Sequence, residues 1–134
     1  MSKTTGETNL KALIANMEPI LNDGEYVFAS VSNIDTIPRS MTICEMQEQE
    51  GTTIVVAQKD AVQLGLSHEF IAAWITLNIH SSLEAVGLTA AFATELGNND
   101  ISCNVIAGYY HDHIFVDVKD KEKAMQALWQ MTKR

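Results

Sequence analysis

The fold is decided by residues Ile101–Val116, ISCNVIAGYYHDHIFV. Two short apolar runs lie on either side of Gly108 and the residues YYHDH. Within each run, residues of one face alternate with residues of the other, at the period of two that is typical of a half-buried β-strand. Two such runs joined by a short connection that contains glycine predict a β-hairpin.

Regular elements are also predicted on both sides of this hairpin. Trp74–Ile79 alternates like a half-buried strand. Ser81 and Glu84 then have the S-x-x-E spacing of a capping box, which predicts a helix over 82–96. After the hairpin, apolar residues at helical spacing predict an amphipathic helix over 120–129.

The order of elements over residues 70–134 is strand, helix, strand, strand, helix. These are the first five elements of a ferredoxin-like βαββαβ unit. The sixth element, a strand after the last helix, is missing before Arg134. Because a three-stranded sheet would leave open edges, we infer that a strand from the first half completes it.

The first half is an incomplete unit of the same kind. Its predicted elements are a helix over Leu10–Met17 capped by Thr8 or Asn9 and ended by Pro19, a strand at Tyr26–Val31, a hairpin over Met41–Gln58 and a short helix at Lys59–Leu64. The sequence therefore predicts an α+β fold with two ferredoxin-like βαββαβ subdomains in tandem. We expect antiparallel sheets with helices on one face, strands shared between the halves, and domains at residues 1–68 and 69–134.

Composition excludes several classes of function. The formal net charge is −8 and the pI about 4.8, so nucleic-acid phosphates and anionic membrane surfaces would repel the chain. No apolar run is long enough to cross a bilayer and no apolar leader follows Met1, which predicts a cytoplasmic protein. Cys44 and Cys103 lack the spacing of metal ligands and are expected to be buried, reduced thiols.

The start of the predicted helix is a candidate anion site. The first amide groups of a helix have no partner within it and lie at the positive end of its dipole, so they attract a carboxylate. Ser81 and Ser82 would add hydroxyl contacts, although Ser81 alone could act only as the cap. Asn104 lies in an otherwise apolar strand, where its amide could contact a ligand or face solvent.

Apolar residues cover more than half of the circumference of helix 82–96 in projection. Packing against one face of a sheet requires a narrower apolar side. The helix is therefore expected to contact the other subdomain or a partner chain as well.

His111 and His113 are the other residues with chemical potential. Two imidazoles at this spacing can bind zinc, but no third or fourth ligand is fixed by the sequence. A nucleophilic pair of Cys103 with His111 is disfavoured, because a thiol within a strand lacks the helix terminus that would lower its pKa.

The stretch WITLNIHSSLEAVGLTAAFATELGNNDISCNVIAGYYHDHIFV, residues 74–116, resembles an ACT domain, and in particular the small stand-alone ACT-domain proteins of bacteria. The segments YVFAS (26–30) and EGTTIVV (50–56) resemble the N-terminal region of the same proteins. The resemblance implies a regulatory ferredoxin-like module that binds a small ligand, commonly an amino acid, at an interface between ACT units.

The resemblance also implies where the ligand binds. The ligand loop of the family corresponds to residues 81–87, and contacts from its second strand correspond to residues 102–104. Glu84-Ala85-Val86 replaces the acidic residue and proline that often precede the glycine in enzyme-attached ACT domains. The residues predicted to bind the ligand are Ser81, Ser82, Leu83, Glu84, Gly87, Ser102, Cys103 and Asn104.

The leading hypothesis is a regulatory module without catalytic activity, a homodimer that binds an amino acid and needs no cofactor. One alternative is a metal- or cysteine-dependent hydrolase that uses Cys103, His111 and His113. Another is a structural adaptor whose broad helix face binds a partner protein.

Overall fold

The structure is a computed structural model, and it describes residues 9–79 and 86–134. Most of the described chain lies in short helices and strands joined by tight connections. In chain order the elements are α1 (Leu10–Ala15), β1 (Glu18–Leu21), β2 (Tyr26–Val31), β3 (Thr42–Gln47), β4 (Thr52–Ala57), α2 (Gln58–Gln63), β5 (Ile71–Asn78), α3 (Leu88–Asn98), β6 (Asn104–Ala107), β7 (Asp112–Asp117) and α4 (Lys121–Met131).

The chain divides into two compact units. The central unit comprises Asp23–Ala73, and the C-terminal unit combines Met1–Asn22 with Trp74–Arg134. Strand β5 begins in the central unit and continues into the C-terminal unit. The sequence instead predicts two domains that are each continuous in the chain, at residues 1–68 and 69–134. That division stays a prediction.

The central unit has a small antiparallel sheet in the order β3-β4-β2 followed by the start of β5. Pairs such as Val27↔Val56 and Ala29↔Ile54 place apolar side chains on one face. These side chains form a core with Val31, Ile37 and Ala61. Short 3-10 helices at Ile34–Thr36 and Arg39–Met41 stand where a ferredoxin-like unit has its first helix, and α2 is the second helix.

The C-terminal unit has the strand order β1-β5-β7-β6. Strand β1 comes from the first half of the chain and pairs antiparallel with β5, from Glu18↔Asn78 to Leu21↔Ile75. This confirms that a strand from the first half completes the second sheet. Pro19 lies inside β1, so its interpretation as a helix end was wrong; an outer strand tolerates a residue that lacks an N–H group.

Helices cover one face of the C-terminal sheet. Ile75, Leu77 and Ile114 are fully buried there, as the alternation in the sequence predicted. The helices contribute buried residues at helical spacing, which are Leu88, Phe92 and Leu96 from α3 and Ala124, Ala127, Leu128 and Met131 from α4. The predicted α+β, ferredoxin-like class with antiparallel sheets is therefore confirmed, as are the two hairpins.

Helix α3 differs from its prediction in two ways. It begins at Leu88 rather than Ser82, because Gly87 has φ +96°, a left-handed conformation that ends any helix coming from upstream. Its buried side is also narrower than expected, since Ala90 is exposed and Val86, which precedes the helix, is 84% exposed. The expected contact of this helix with the other subdomain or a partner chain stays a prediction.

Replacing Gly87 by alanine should destabilise the protein. The left-handed conformation costs a non-glycine residue about 1–2 kcal/mol. In addition, the new Cβ would lie 3.1 Å from Leu10 Cδ2, so that side chain would have to move. We expect urea denaturation to show a lower free energy of unfolding for Gly87→Ala.

Gly97→Ala is the matched control. Gly97 lies within α3, and a Cβ built there meets nothing within 4 Å. Because alanine favours helix over glycine by roughly 0.5–1 kcal/mol, this variant should be at least as stable as the original chain. Equal stability of the two variants would contradict the role assigned to Gly87.

Candidate functional site

The predicted ligand loop lies mainly outside the described residues. This holds for Ser81, Ser82, Leu83 and Glu84, so their roles stay predictions. The described chain resumes at Val86, and Gly87 is the N-cap of α3. Gly87 packs close to Leu10, which brings the start of α1 beside the start of α3.

Among the described residues, the N-terminus of α3 has no cap from a side chain. Gly87 has no side chain to offer, and its carbonyl oxygen accepts a hydrogen bond from the Ala91 N–H at 2.9 Å. The first turn of the helix carries no acidic residue. The positive end of this helix dipole therefore has no charge-compensating group on the helix itself, which favours an anion nearby.

Residues 102–104 enter the outer strand β6. Ser102 and Asn104 are exposed, whereas Cys103 is half-buried. The Asn104 side-chain amide donates to the Phe115 carbonyl oxygen on β7 at 3.2 Å. This contact orients the side chain along the hairpin. Asn104 is therefore exposed to solvent and also hydrogen-bonded to the neighbouring strand, and its predicted contact with a ligand stays a prediction.

The Cys103 thiol is poorly suited to nucleophilic chemistry. Burial raises its pKa to about 11, so the thiol is protonated at neutral pH. The thiolate is the reactive form of cysteine, and reactive cysteines have lowered rather than raised pKa values. Cys44 and Cys103 are both free thiols.

A polar cluster that the sequence did not reveal lies on the sheet face opposite the helices. The Trp74 indole N–H donates to His113 Nδ1 at 3.0 Å, and Thr76 Oγ1 lies 3.2 Å from the same nitrogen. The Asn22 amide donates to Thr76 Oγ1 at 2.9 Å. Strand alternation predicted that Trp74 and Thr76 share a face, but only the order of the strands places β1 and β7 beside them.

This cluster fixes the tautomer of His113. An indole N–H can only donate, so His113 Nδ1 must accept and the proton of the neutral ring is on Nε2. Burial lowers the pKa of His113, and the nearby His111 lowers it further, while Asp112 acts in the opposite direction. Burial in turn raises the pKa of Asp112. His113 is therefore neutral at physiological pH.

The hairpin connection is a tight turn from Gly108 to His111. The Gly108 N–H donates to the His111 carbonyl oxygen at 2.9 Å, and a Cβ at Gly108 would lie at that same distance from this oxygen. Tyr109 and Tyr110 are exposed at the tip and contact each other edge to face, with ring centroids 5.0 Å apart.

The described residues give no support to the hydrolase alternative. Within residues 9–79 and 86–134, no three His, Cys, Asp or Glu side chains come together in a group that could hold a metal ion. His113 is engaged with Trp74 and Thr76, while His111 Nδ1 is buried without a hydrogen-bond partner among the described atoms.

The titration of His113 can be followed by NMR. The midpoint of this titration is expected below pH 6.5, which is the ordinary pKa of a histidine side chain. Because the folded chain takes up this proton at lower pH than the unfolded chain, the free energy of unfolding should decrease as the pH falls through 6.5. Trp74→Phe removes the N–H that stabilises the neutral ring, so the midpoint should rise.

Trp129→Phe is the control for this experiment, because Trp129 is a partly exposed residue on α4. It should leave the His113 midpoint in place. A midpoint at or above 6.5 in the original chain would contradict the tautomer and the pKa direction derived from the cluster.

Alkylation tests the state of Cys103. In Cys44→Ser protein, Cys103 is the remaining thiol. The rate of its reaction with iodoacetamide should be low at neutral pH. The rate should increase up to about pH 11, past pH 9.0, which is the ordinary pKa of a cysteine thiol. Fast modification at neutral pH, with the protein still folded by circular dichroism, would return Cys103 to the list of candidate nucleophiles.

No helix among the described residues is long and apolar enough to cross a membrane.

Solved structures with this fold include one close in sequence. A Vibrio cholerae protein of unknown function, named a possible transport protein, is 46% identical, with a TM-score of 0.83 over 92% of this chain and 95% of its own. An Agrobacterium tumefaciens protein is 18% identical, with a TM-score of 0.66 over 87% of this chain and 89% of its own. The regulatory subunit of aspartate kinase from Thermus thermophilus is 8% identical, with a TM-score of 0.57 over 84% of this chain and 95% of its own.

Family models agree with the fold on both halves of the chain. One model of the ACT domain matches residues 5–73 and a second matches residues 69–130. No curated protein matches the chain. The matches span the three sequence segments from which the resemblance was drawn, and the first match alone covers more than half of the residues. The chain therefore belongs to the ACT domain family.

Proposed function

We propose that this protein is a regulatory module without catalytic activity that binds a small ligand, an amino acid, at an interface between ACT units. The observation that carries the proposal is the pair of ACT-domain matches, which together account for residues 5–130. The likeness in fold to a regulatory subunit of aspartate kinase adds support, because that protein is regulatory by name.

In this proposal the start of α3 anchors the ligand carboxylate. In the part of the chain that the structure describes, the N-terminus of α3 has neither a side-chain cap nor an acidic residue in its first turn, and its positive end would attract an anion. The hydroxyl groups of Ser81 and Ser82 and the Leu83 amide would complete the carboxylate site, and Glu84 would receive the ammonium group.

The segment 102–104 forms the second part of the proposed site. Ser102 and Asn104 offer exposed polar side chains at the entrance of β6. Cys103, protonated and half-buried, would contribute contact rather than chemistry. Gly87, the N-cap of α3, would lie beside the ligand carboxylate at the start of this helix.

The proposal includes a homodimer that acts in the cytoplasm. Ligand binding across ACT units would couple occupancy to the geometry of the subunits, which is how a binding event can regulate a partner. The two free thiols suit a reducing compartment. The net charge of −8 disfavours nucleic acids and anionic membranes as partners.

A panel of free amino acids tests the proposal by thermal shift. One or a few members should raise the melting temperature, because a ligand that binds only the folded state stabilises it. Ser82→Asp should abolish the shift, since it places a negative charge against the ligand carboxylate.

Ser40→Asp is the matched control, because it adds the same charge at an exposed serine in the central unit. It should retain the shift. Absence of any shift across the panel with folded protein, or equal loss in both variants, would contradict the proposed site.

A further inference from the structure

The hydrogen bond between Trp74 and His113 depends on which nitrogen of the imidazole carries a proton. In the neutral ring the proton is on Nε2, and Nδ1 accepts from the Trp74 indole N–H at 3.0 Å. The proton that converts the neutral ring into imidazolium must therefore go to Nδ1. Two N–H groups would then point at each other, and neither could accept. Protonation of His113 is thus incompatible with its hydrogen bond from Trp74.

Thr76 supplies an alternative partner for the protonated ring. Its Oγ1 lies 3.2 Å from His113 Nδ1, and a hydroxyl oxygen has two lone pairs that can accept hydrogen bonds. One lone pair accepts from the Asn22 side-chain amide at 2.9 Å, so the other can accept from an Nδ1–H group. That bond would be charge-assisted, and such bonds are stronger than bonds between neutral groups. The protonated ring can therefore stay beside Thr76.

The backbone of Trp74 is held in place, so the change is confined to its side chain. The Trp74 carbonyl oxygen accepts from the Asn22 backbone N–H at 2.9 Å and from the Asn22 side-chain amide at 3.2 Å. The indole is only partly buried, so its N–H can bond to water when His113 no longer accepts from it. Protonation of one ring thus changes the environment of the other.

Two titratable neighbours act on His113. Burial lowers the pKa of His113, the nearby His111 lowers it further, and Asp112 acts in the opposite direction. The other residues that face the ring, from β5, β6 and the turn, carry no charge and are Trp74, Thr76, Ile106 and Gly108. The ring is therefore expected to take up its proton below pH 6.5, the ordinary pKa of a histidine side chain.

We propose that these residues form an acid-operated switch, in which protonated His113 exchanges its hydrogen bond from Trp74 for one to Thr76. At neutral pH the indole N–H is bound to the imidazole. In acid it is released to solvent, while the strand pairing of the sheet persists because the ladder uses backbone groups. None of these residues belongs to the predicted amino-acid site.

Tryptophan fluorescence as a function of pH tests the switch in Trp129→Phe protein, where Trp74 is the remaining tryptophan. Emission should move to longer wavelength as the pH falls below 6.5, because the indole becomes more exposed to water. Far-UV circular dichroism should stay constant through this transition. The midpoint of the emission change should equal the midpoint of the His113 ring measured by NMR.

Variants in the same background separate the roles of the partners. His113→Asn removes the titrating group and keeps an acceptor near the position of Nδ1, so emission should no longer change with pH. Thr76→Val removes the acceptor for the protonated ring, so the midpoint should move to lower pH.

Asp112→Asn is the matched control, because it removes a neighbouring carboxylate and leaves the three partners of the switch unchanged. It should keep the transition, with a lower midpoint, since Asp112 favours the protonated ring.

An emission change that persists in His113→Asn, or that is lost in Asp112→Asn, would overturn the proposal. The same conclusion would follow if the emission change coincided with loss of circular dichroism. It would also follow if emission stayed constant down to a pH at which NMR shows His113 protonated, or if the midpoint of Thr76→Val did not fall.

Discussion

The pairing of β1 with β5 is the constraint on which the C-terminal unit depends. Without β1, the backbone N–H and C=O groups on one side of β5 would be unpaired in this unit. Residues Glu18–Leu21 of β1 supply the hydrogen bonds that these groups need. The same pairing places Pro19 opposite Leu77 beneath α4 and carries α1 towards the start of α3. The N-terminal segment is therefore part of the C-terminal fold.

Because α1 arrives with β1, the first residues of α3 have a close neighbour. Gly87 turns the chain into α3 in a left-handed conformation, with Leu10 packed against it. The helix in turn places Leu88, Phe92 and Leu96 in the core.

His113 of the β6-β7 hairpin has a structural role. His113 accepts hydrogen bonds within a cluster of strand residues, and burial keeps its ring neutral. Cys103 is protonated for the same physical reason, since a half-buried site disfavours the charged form of either group. His113 therefore links β7 to β5 through Trp74 and Thr76.

The sequence by itself determined the elements that depend on local periodicity: the strands around Gly108, the hairpin before α2, helix α4, and the need for a strand from the first half. It also determined the family, through its own motifs. The tertiary structure decided that β1 is that strand, that α3 begins at Leu88, and that Trp74 and Thr76 lie beside His113. The same holds for the ion pair of Glu95 with Arg134. Periodicity acts over neighbouring residues, whereas strand order and clefts depend on contacts between residues far apart in the chain, which no local pattern records.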